Sequence, residues 1–437
     1  MRNSKSCLCT LFSFLILLSA SGSSFAFDFD GSRISGLKPS LENSAAGIPA
    51  VPAPAAEPGP EGIAEWTVMV FINGKNDLAD YGKKDLNEME AVGSGSRVNI
   101  VAELGLLNKG VKRYLVKKDG DTARISSPAV QELGRPDMGD WKHLAEFAAW
   151  AKEKYPARRY MLVIWNHGSG WVSNKGISYD DETHNHISTP ELGLAMKAIG
   201  GVDILAMDAC LMQMAEVAYE VKDFAEFIVA SEETAPGNGF PYNLMLRGLS
   251  KCYDRQTGET AAALVKEYTA YYNGGKTKTK ATLSAVKTAA LPQLALLTDA
   301  WAAAALAYPD KKLLREASNS AACYFVDEYK DLADLAAKVS EKTKDPELTA
   351  KGAALISYIR GTLVTANGAT SQMSSGSNGI SIYVSRDGAS EHYKALAFSA
   401  STRWDEFLAS LPRYVPPPPH HDPNPFDPDN FINPFRH

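Results

Sequence analysis

The chain has 437 residues, 45% apolar and 22% charged, with 45 basic against 51 acidic residues and a net charge of −6. These are ordinary globular values. They argue against a nucleic-acid partner, which calls for a basic stripe, and five cysteines are too few for a disulfide scaffold.

Arg2 and Lys5, an apolar stretch from Cys7 to Leu18 and the small-residue end Ser24-Phe25-Ala26 read as an export signal over 1–26. The alternative is a buried N-terminal helix. Cys7 and Cys9 precede the apolar centre, where a lipid-anchoring cysteine would follow it. Residues 27–62 are rich in Pro, Ala, Gly and Glu and read as a linker or propeptide. No later apolar run reaches the length of about 18 residues that a membrane helix needs. The mature chain is therefore expected to be secreted, without a stable membrane anchor, and monomeric.

Trp66 to Ile72 is the first buried strand, ended by Asn73-Gly74. Asp77 opens a helical stretch to Val92. Val98 to Leu104 is a second strand, and Val111 to Val116 starts a hairpin. A helix over Asp140–Tyr155 stops at Pro156. Tyr160 to Trp165 is a third strand. Thr189 caps a helix with Pro190 in its first turn. Val202 to Met207 and Phe227 to Ala230 are further strands, separated by a helix from Leu211 to Val221, and Lys280 to Val286 adds another. This alternation predicts an α/β core over 63–290, with a mostly parallel sheet covered on both faces. Over 291–411 the pattern becomes helical, with helices at 291–306, 317–339 and 402–411 and one more strand at 379–384. That part is either an insertion in the α/β domain or a second subdomain. The Pro-rich end, 412–437, reads as disordered.

Ligands bind outside the carboxyl ends of strands in an open parallel sheet. The third strand runs into Asn166-His167-Gly168 and the fourth into Asp208-Ala209-Cys210. If the two strands are neighbours, His167 and Cys210 meet at one edge. An imidazole can take the proton of a thiol or hold it as an ion pair, which makes a nucleophile for acyl transfer. The N–H groups of Gly168 and Cys210 are candidate oxyanion donors, and a helix starting at Leu211 would favour a thiolate. Taken singly, a buried Cys or His in such a place is an ordinary structural residue; the two together are not.

The segments Trp165-Asn166-His167-Gly168, Met207-Asp208-Ala209-Cys210-Leu211-Met212 and Ala230-Ser231-Glu232-Glu233-Thr234-Ala235-Pro236-Gly237-Asn238-Gly239 resemble the clostripain family of cysteine peptidases. The resemblance covers roughly 66–411. It implies a caspase-like three-layer α/β sandwich with a helical C-terminal part, His167 and Cys210 as catalytic dyad, and cleavage of peptide or protein substrates after Arg or Lys. Asp208 matches one acidic position of the substrate pocket, but Asn238 stands where a second acid is expected, so Glu232 or Glu233 becomes a candidate helper. Asp208 could equally orient loop N–H groups. Some relatives depend on calcium and cut themselves, which makes Lys175 a candidate processing site and calcium a candidate ion, although the chemistry itself requires no cofactor.

Asp180, Asp181 and Glu182 gather oxygen ligands but lack the spacing of a calcium loop. His184 and His186 lack a third zinc ligand. Cys252 and Cys323 either pair, leaving Cys210 as the free thiol, or remain two buried thiols. The chain thus reads as a secreted cysteine endopeptidase. Its rivals are a catalytically silent binding protein on the same fold and a peptidase selective for Asn or Asp.

Overall fold

The computed structural model describes residues 63–171, 176–274, 279–373 and 375–414. The expected signal, the linker, most of the tail and Lys175 lie outside the described residues.

Strand β1 (Ala64–Gly74) is buried along nearly its whole length, as an apolar strand covered on both faces should be. Its side chains divide between two cores. Val68, Val70 and Ile72 face helix α1 (Ala79–Glu90), while Met69 and Phe71 face α2 (Trp141–Lys154), where the Phe71 and Phe147 rings lie 5.9 Å apart. The remaining strands are β2 (Val98–Leu106), β3 (Gly110–Leu115), β4 (Ala129–Glu132), β5 (Ala157–Trp165), β6 (Ile177–Asp180), β7 (Asn185–Ile187), β8 (Val202–Asp208), β9 (Ala225–Ala230), β10 (Thr282–Lys287), β11 (Tyr329–Asp331), β12 (Val364–Ala369) and β13 (Ser381–Tyr383).

Among the described residues nine strands form one sheet, in the order β12-β10-β9-β8-β5-β1-β2-β3-β4. The run β9-β8-β5-β1-β2 is parallel, and the strands outside it are antiparallel. From β1 the chain moves to β2 on one side and later returns to β5 on the other. The sheet order therefore reverses between β1 and β5, and ligand crevices open at such switch points.

Helices α2, α3 (Thr189–Ile199) and α4 (Ala215–Glu220) cover one face; α1, α5 (Tyr242–Ser250) and α6 (Thr257–Asn273) cover the other. Asp140 caps α2 through the Lys142 N–H. The cap of α3 is Ser188, one residue before the expected Thr189, with Glu191 completing a capping box. The helix expected from Leu211 starts instead at Ala215, because residues 210–214 are drawn into an irregular turn. There Leu211 takes φ +65°, and the Leu211 and Gln213 N–H groups donate to Glu233 O and Ser231 O.

The C-terminal part extends the core that covers α2–α4. It comprises α7 (Leu291–Ala307), α8 (Lys311–Asn319), α9 (Leu332–Thr343), α10 (Pro346–Tyr358) and a closing helix, Trp404–Ser410. The single helix expected over 317–339 is broken: α8 ends at Asn319, and Asp331 ends β11 and caps α9 by accepting from the Asp334 N–H. The strand expected at 379–384 shortens to β13, which pairs with β11 outside the main sheet. α10 and β12, unforeseen from the sequence, bring the C-terminal part onto the sheet edge beside β10. Helix residues Thr288–Ala307 are long and apolar enough to cross a membrane, contrary to the sequence reading, yet half of that stretch is buried inside this fold. Trp301 packs there on Trp404 and Phe407, with centroids at 5.7 and 5.2 Å. Glu216 on α4 holds the C-terminal part, accepting from Tyr383 N–H (2.9 Å) and Tyr393 O–H (2.8 Å).

Candidate active site

β5 and β8 are hydrogen-bonded neighbours with Trp165 opposite Asp208. The turns that follow them lie at one sheet edge, and three residues beyond β1 lies Asp77 at the same edge.

The turn carrying His167 is fixed on several sides. Asn166 donates to Asn73 O and accepts from Tyr179 N–H. Ser178 N–H donates to His167 O (3.3 Å), and Ser169 N–H to Gly176 O (3.0 Å). The Tyr329 hydroxyl, from the C-terminal part, donates to Ser169 O at 2.6 Å. A Cβ on Gly168 would stand 2.5 Å from Cys210 O. Only glycine lets the two turns approach this closely. His167 Nε2 lies 2.7 Å from Asp77 Oδ1.

Cys210 is half-buried, and the Ala235 N–H donates to its sulfur at 3.2 Å. Burial, with the charges of Glu233 and Asp208, pushes its thiol up to about 11, against the downward pull of the Ala235 and Gly168 N–H groups. With α4 starting five residues later, no helix dipole lowers it. The thiol is therefore neutral in this resting state, and a base is needed to ionise it.

Asp208 is 4% exposed. Its Oδ2 accepts from Phe240 N–H and Tyr242 O–H, each at 3.0 Å. Burial pushes its carboxyl up to about 7. Gly239, at φ +57°, passes so close that a Cβ would stand 2.9 Å from Asp208 Oδ2. Asp208 thus holds the Phe240 N–H and the Tyr242 hydroxyl, which follow β9. Asn238 is exposed and accepts from Lys84 Nζ at 3.1 Å.

Glu232 stands apart from this group. It is fully buried beside Asp331 and Tyr324, and burial together with the Asp331 charge pushes its carboxyl well above its ordinary range. Among the described residues both of its carboxylate oxygens are buried with no hydrogen-bond donor. Glu233 Oε1 accepts from Phe325 N–H at 3.0 Å, which ties the loop to the C-terminal part.

Two acids of the 177–187 hairpin, Asp180 and Glu182, have protein partners. Lys75, fully buried, reaches Asp180 and Glu182 at 3.0 Å each and donates to Pro136 O at 2.7 Å. No group of three or more metal-type side chains occurs among the described residues. Cys252 is buried and Cys323 exposed, and both are free thiols, so the suggested disulfide is not formed.

Sequence reasoning missed Asp77 and the Ala235 N–H. Asp77 carried a signal, since it follows β1 as His167 follows β5. The Ala235 N–H depends on loop placement that no motif encodes.

Residues 70–411 match the clostripain family, Peptidase_C11. Clostripain of Hathewaya histolytica is 33% identical over 124 residues, covering 24% of each chain, so the match spans about a quarter of that curated relative. Two solved structures share the architecture. A secreted C11 cysteine protease from Bacteroides thetaiotaomicron, in complex with an irreversible peptide inhibitor, superposes with TM-score 0.62 and 22% identity over 78% of this chain and 100% of its own. An inactive zymogen C11 protease from Parabacteroides distasonis gives 0.59 and 19% over 78% and 98%. At these identities the likeness shows the fold, which is the caspase-like sandwich expected from the sequence.

Proposed function

The chain belongs to the clostripain family, and from that premise we propose that it is a secreted cysteine endopeptidase that cuts after Arg or Lys. The observation that carries the reading is the junction of two strand ends: His167 after β5 and Cys210 after β8, with Gly168 packed on the Cys210 backbone and Asp77 on the imidazole.

With Nε2–H held by Asp77, the imidazole presents Nδ1 as the nitrogen that takes a proton. His167 takes the Cys210 proton as the sulfur attacks the carbonyl carbon, and an S–C bond forms. The N–H groups of Gly168 and Cys210 receive the oxyanion. His167 then gives the proton to the leaving amine as the C–N bond breaks, leaving a thioester. Water, deprotonated by His167, attacks the thioester; the S–C bond breaks and the thiol recovers its proton. The reaction so written draws on protein groups alone. The carboxyl of Asp208 receives the basic P1 side chain. Secretion is supported by the signal-like residues 1–26 and by the description of the Bacteroides relative as secreted.

The test is incubation with peptides carrying Arg, Lys, Asn or Asp at P1, with and without calcium, beside Cys210→Ala. Cleavage after Arg or Lys, absent in the variant, is expected. No cleavage of any peptide, with Cys210 unreactive to alkylation, overturns the enzyme reading and leaves the binding-protein one. Cleavage after Asn or Asp alone overturns the basic preference. Self-cleavage after Lys175, part of the same proposal, is read by mass spectrometry as a break absent from Cys210→Ala.

A further inference from the structure

Three carboxylates near the edge that carries Cys210 lie close enough that, beyond burial, the charges of Asp208 and Glu88 raise the Asp85 carboxyl and that of Glu88 raises the Asp208 carboxyl. Asp208 comes from the end of β8; Asp85 and Glu88 come from α1. Asp85 is 1% exposed. Its Oδ2 accepts from Trp165 Nε1–H at 2.8 Å, and Trp165 is the residue opposite Asp208 across β5 and β8. Among the described residues Asp85 Oδ1 and Glu88 Oε2 are buried with no hydrogen-bond donor. Buried carboxylate oxygens without donors are costly and scarce in folded proteins. Glu88 pairs through its other oxygen, Oε1, with Lys84 Nζ at 3.3 Å. Lys84 also bonds Asn238, and its side chain is 45% exposed, so its charge stays at the rim.

We propose that Asp85, with Glu88 beside it, supplies the second acid of the P1 pocket, so that a basic side chain is held between α1 and Asp208 instead of between Asp208 and residue 238. The inference rests on the endopeptidase reading and names the groups that select its substrate. A guanidinium offers five N–H donors in a planar fork, which matches carboxylate oxygens lacking partners. Lys84 already draws Asn238 toward the rim. The neutral amide there is consistent with a pocket whose acids stand on the helix. Burial and the neighbouring Asp208 charge raise the Asp85 carboxyl well above its ordinary range, with Trp165 pulling it down, Glu88 raising it and Lys84 lowering it. The Asp208 charge also raises the Cys210 thiol, so a docked cation that neutralises it eases ionisation of the nucleophile.

The experiment measures benzamidine binding by calorimetry to the mature Cys210→Ala protein, with and without Asp85→Asn. It also measures kcat/KM for a P1-Arg peptide against its uncharged citrulline counterpart in the active enzyme. The amide introduced by Asp85→Asn retains an acceptor for Trp165 Nε1–H, so a purely structural role predicts no change. Loss of a desolvated charge–charge contact predicts benzamidine binding weakened about tenfold or more, and the Arg-to-citrulline ratio lowered to a similar degree. If benzamidine does not bind the parent protein, or binds Asp85→Asn equally well, the proposal is overturned. Should Asp85→Asn fail to fold, Glu88→Gln takes its place, with about a threefold loss expected and no loss overturning the proposal. Absence of peptide cleavage with benzamidine binding intact would instead mark failure of the endopeptidase reading.

Discussion

Two groups of carboxylates flank the same sheet edge, and the protein treats them in opposite ways. Asp180 and Glu182 are saturated. Lys75 bonds both, Met138 N–H donates to Asp180, and Asn108 N–H and Arg135 complete Glu182, whose carboxyl is held down at about 2 against its own burial. Asp85, Glu88 and Asp208 have neutral donors, a rim lysine and two buried oxygens without partners among the described residues. The first group carries its own cation and so belongs to the architecture. The second lacks one at its centre, which is what a site for an external cation looks like.

The contrast breaks most visibly at Lys75. Lys75→Met removes the cation from a fully buried pair, and stability should fall by about 3–5 kcal/mol. A loss below about 1 kcal/mol in denaturant unfolding would show that the hairpin acids do not rely on it. Asp208→Asn should do the reverse. P1-Arg cleavage should drop about 100-fold, from the loss of a charge-assisted contact, while the unfolding midpoint holds or rises because a neutral amide costs less to bury. A drop in stability without a change in kcat/KM would make Asp208 merely structural.

Acidity sharpens the comparison because the two groups have opposite signs. Glu182 has a lowered carboxyl, so its stabilisation is present above its ordinary pKa and is lost as pH falls toward about 2. Asp208, at about 7, is raised; the folded state keeps its proton longer, so its stabilisation is greatest below its ordinary value and is lost as pH rises through about 7. Melting against pH should therefore flatten on the alkaline side in Asp208→Asn and on the acid side in Glu182→Gln. Unchanged profiles would contradict the assignments. The smallest effect is expected at Asp77, whose side chain is 61% exposed. Asp77→Asn keeps a hydrogen-bonding group on the imidazole, and kcat should fall about threefold with KM unchanged.

Much of this was legible in the chain. The apolar run at 66–72 could only be a doubly covered strand, and the short strands ending at Trp165 and Met207 placed His167 and Cys210 at matching ends. What escaped was governed by long-range contacts. Leu211–Met214 has apolar residues suited to a helix, yet hydrogen bonds to residues 231 and 233 hold it as a turn. Glu232 looked like a pocket acid because its loop follows a strand; the acid beside it, Asp331, lies far along the chain in a part with no motif. Asp85 reads as an ordinary helix residue until Trp165 and Asp208 are found beside it.

The pairing of β5 with β8 has one more consequence. Lys175 lies between these strands in sequence, yet Ser169 and Gly176 are joined by a hydrogen bond and five residue pairs run along the strand seam from Met161–Ile204 to Trp165–Asp208. A chain cut after Lys175 would remain a single particle under native conditions and separate into two bands only once denatured. Its refolding would change in reaction order: an intact chain returns at a rate independent of concentration, whereas the severed halves must first meet.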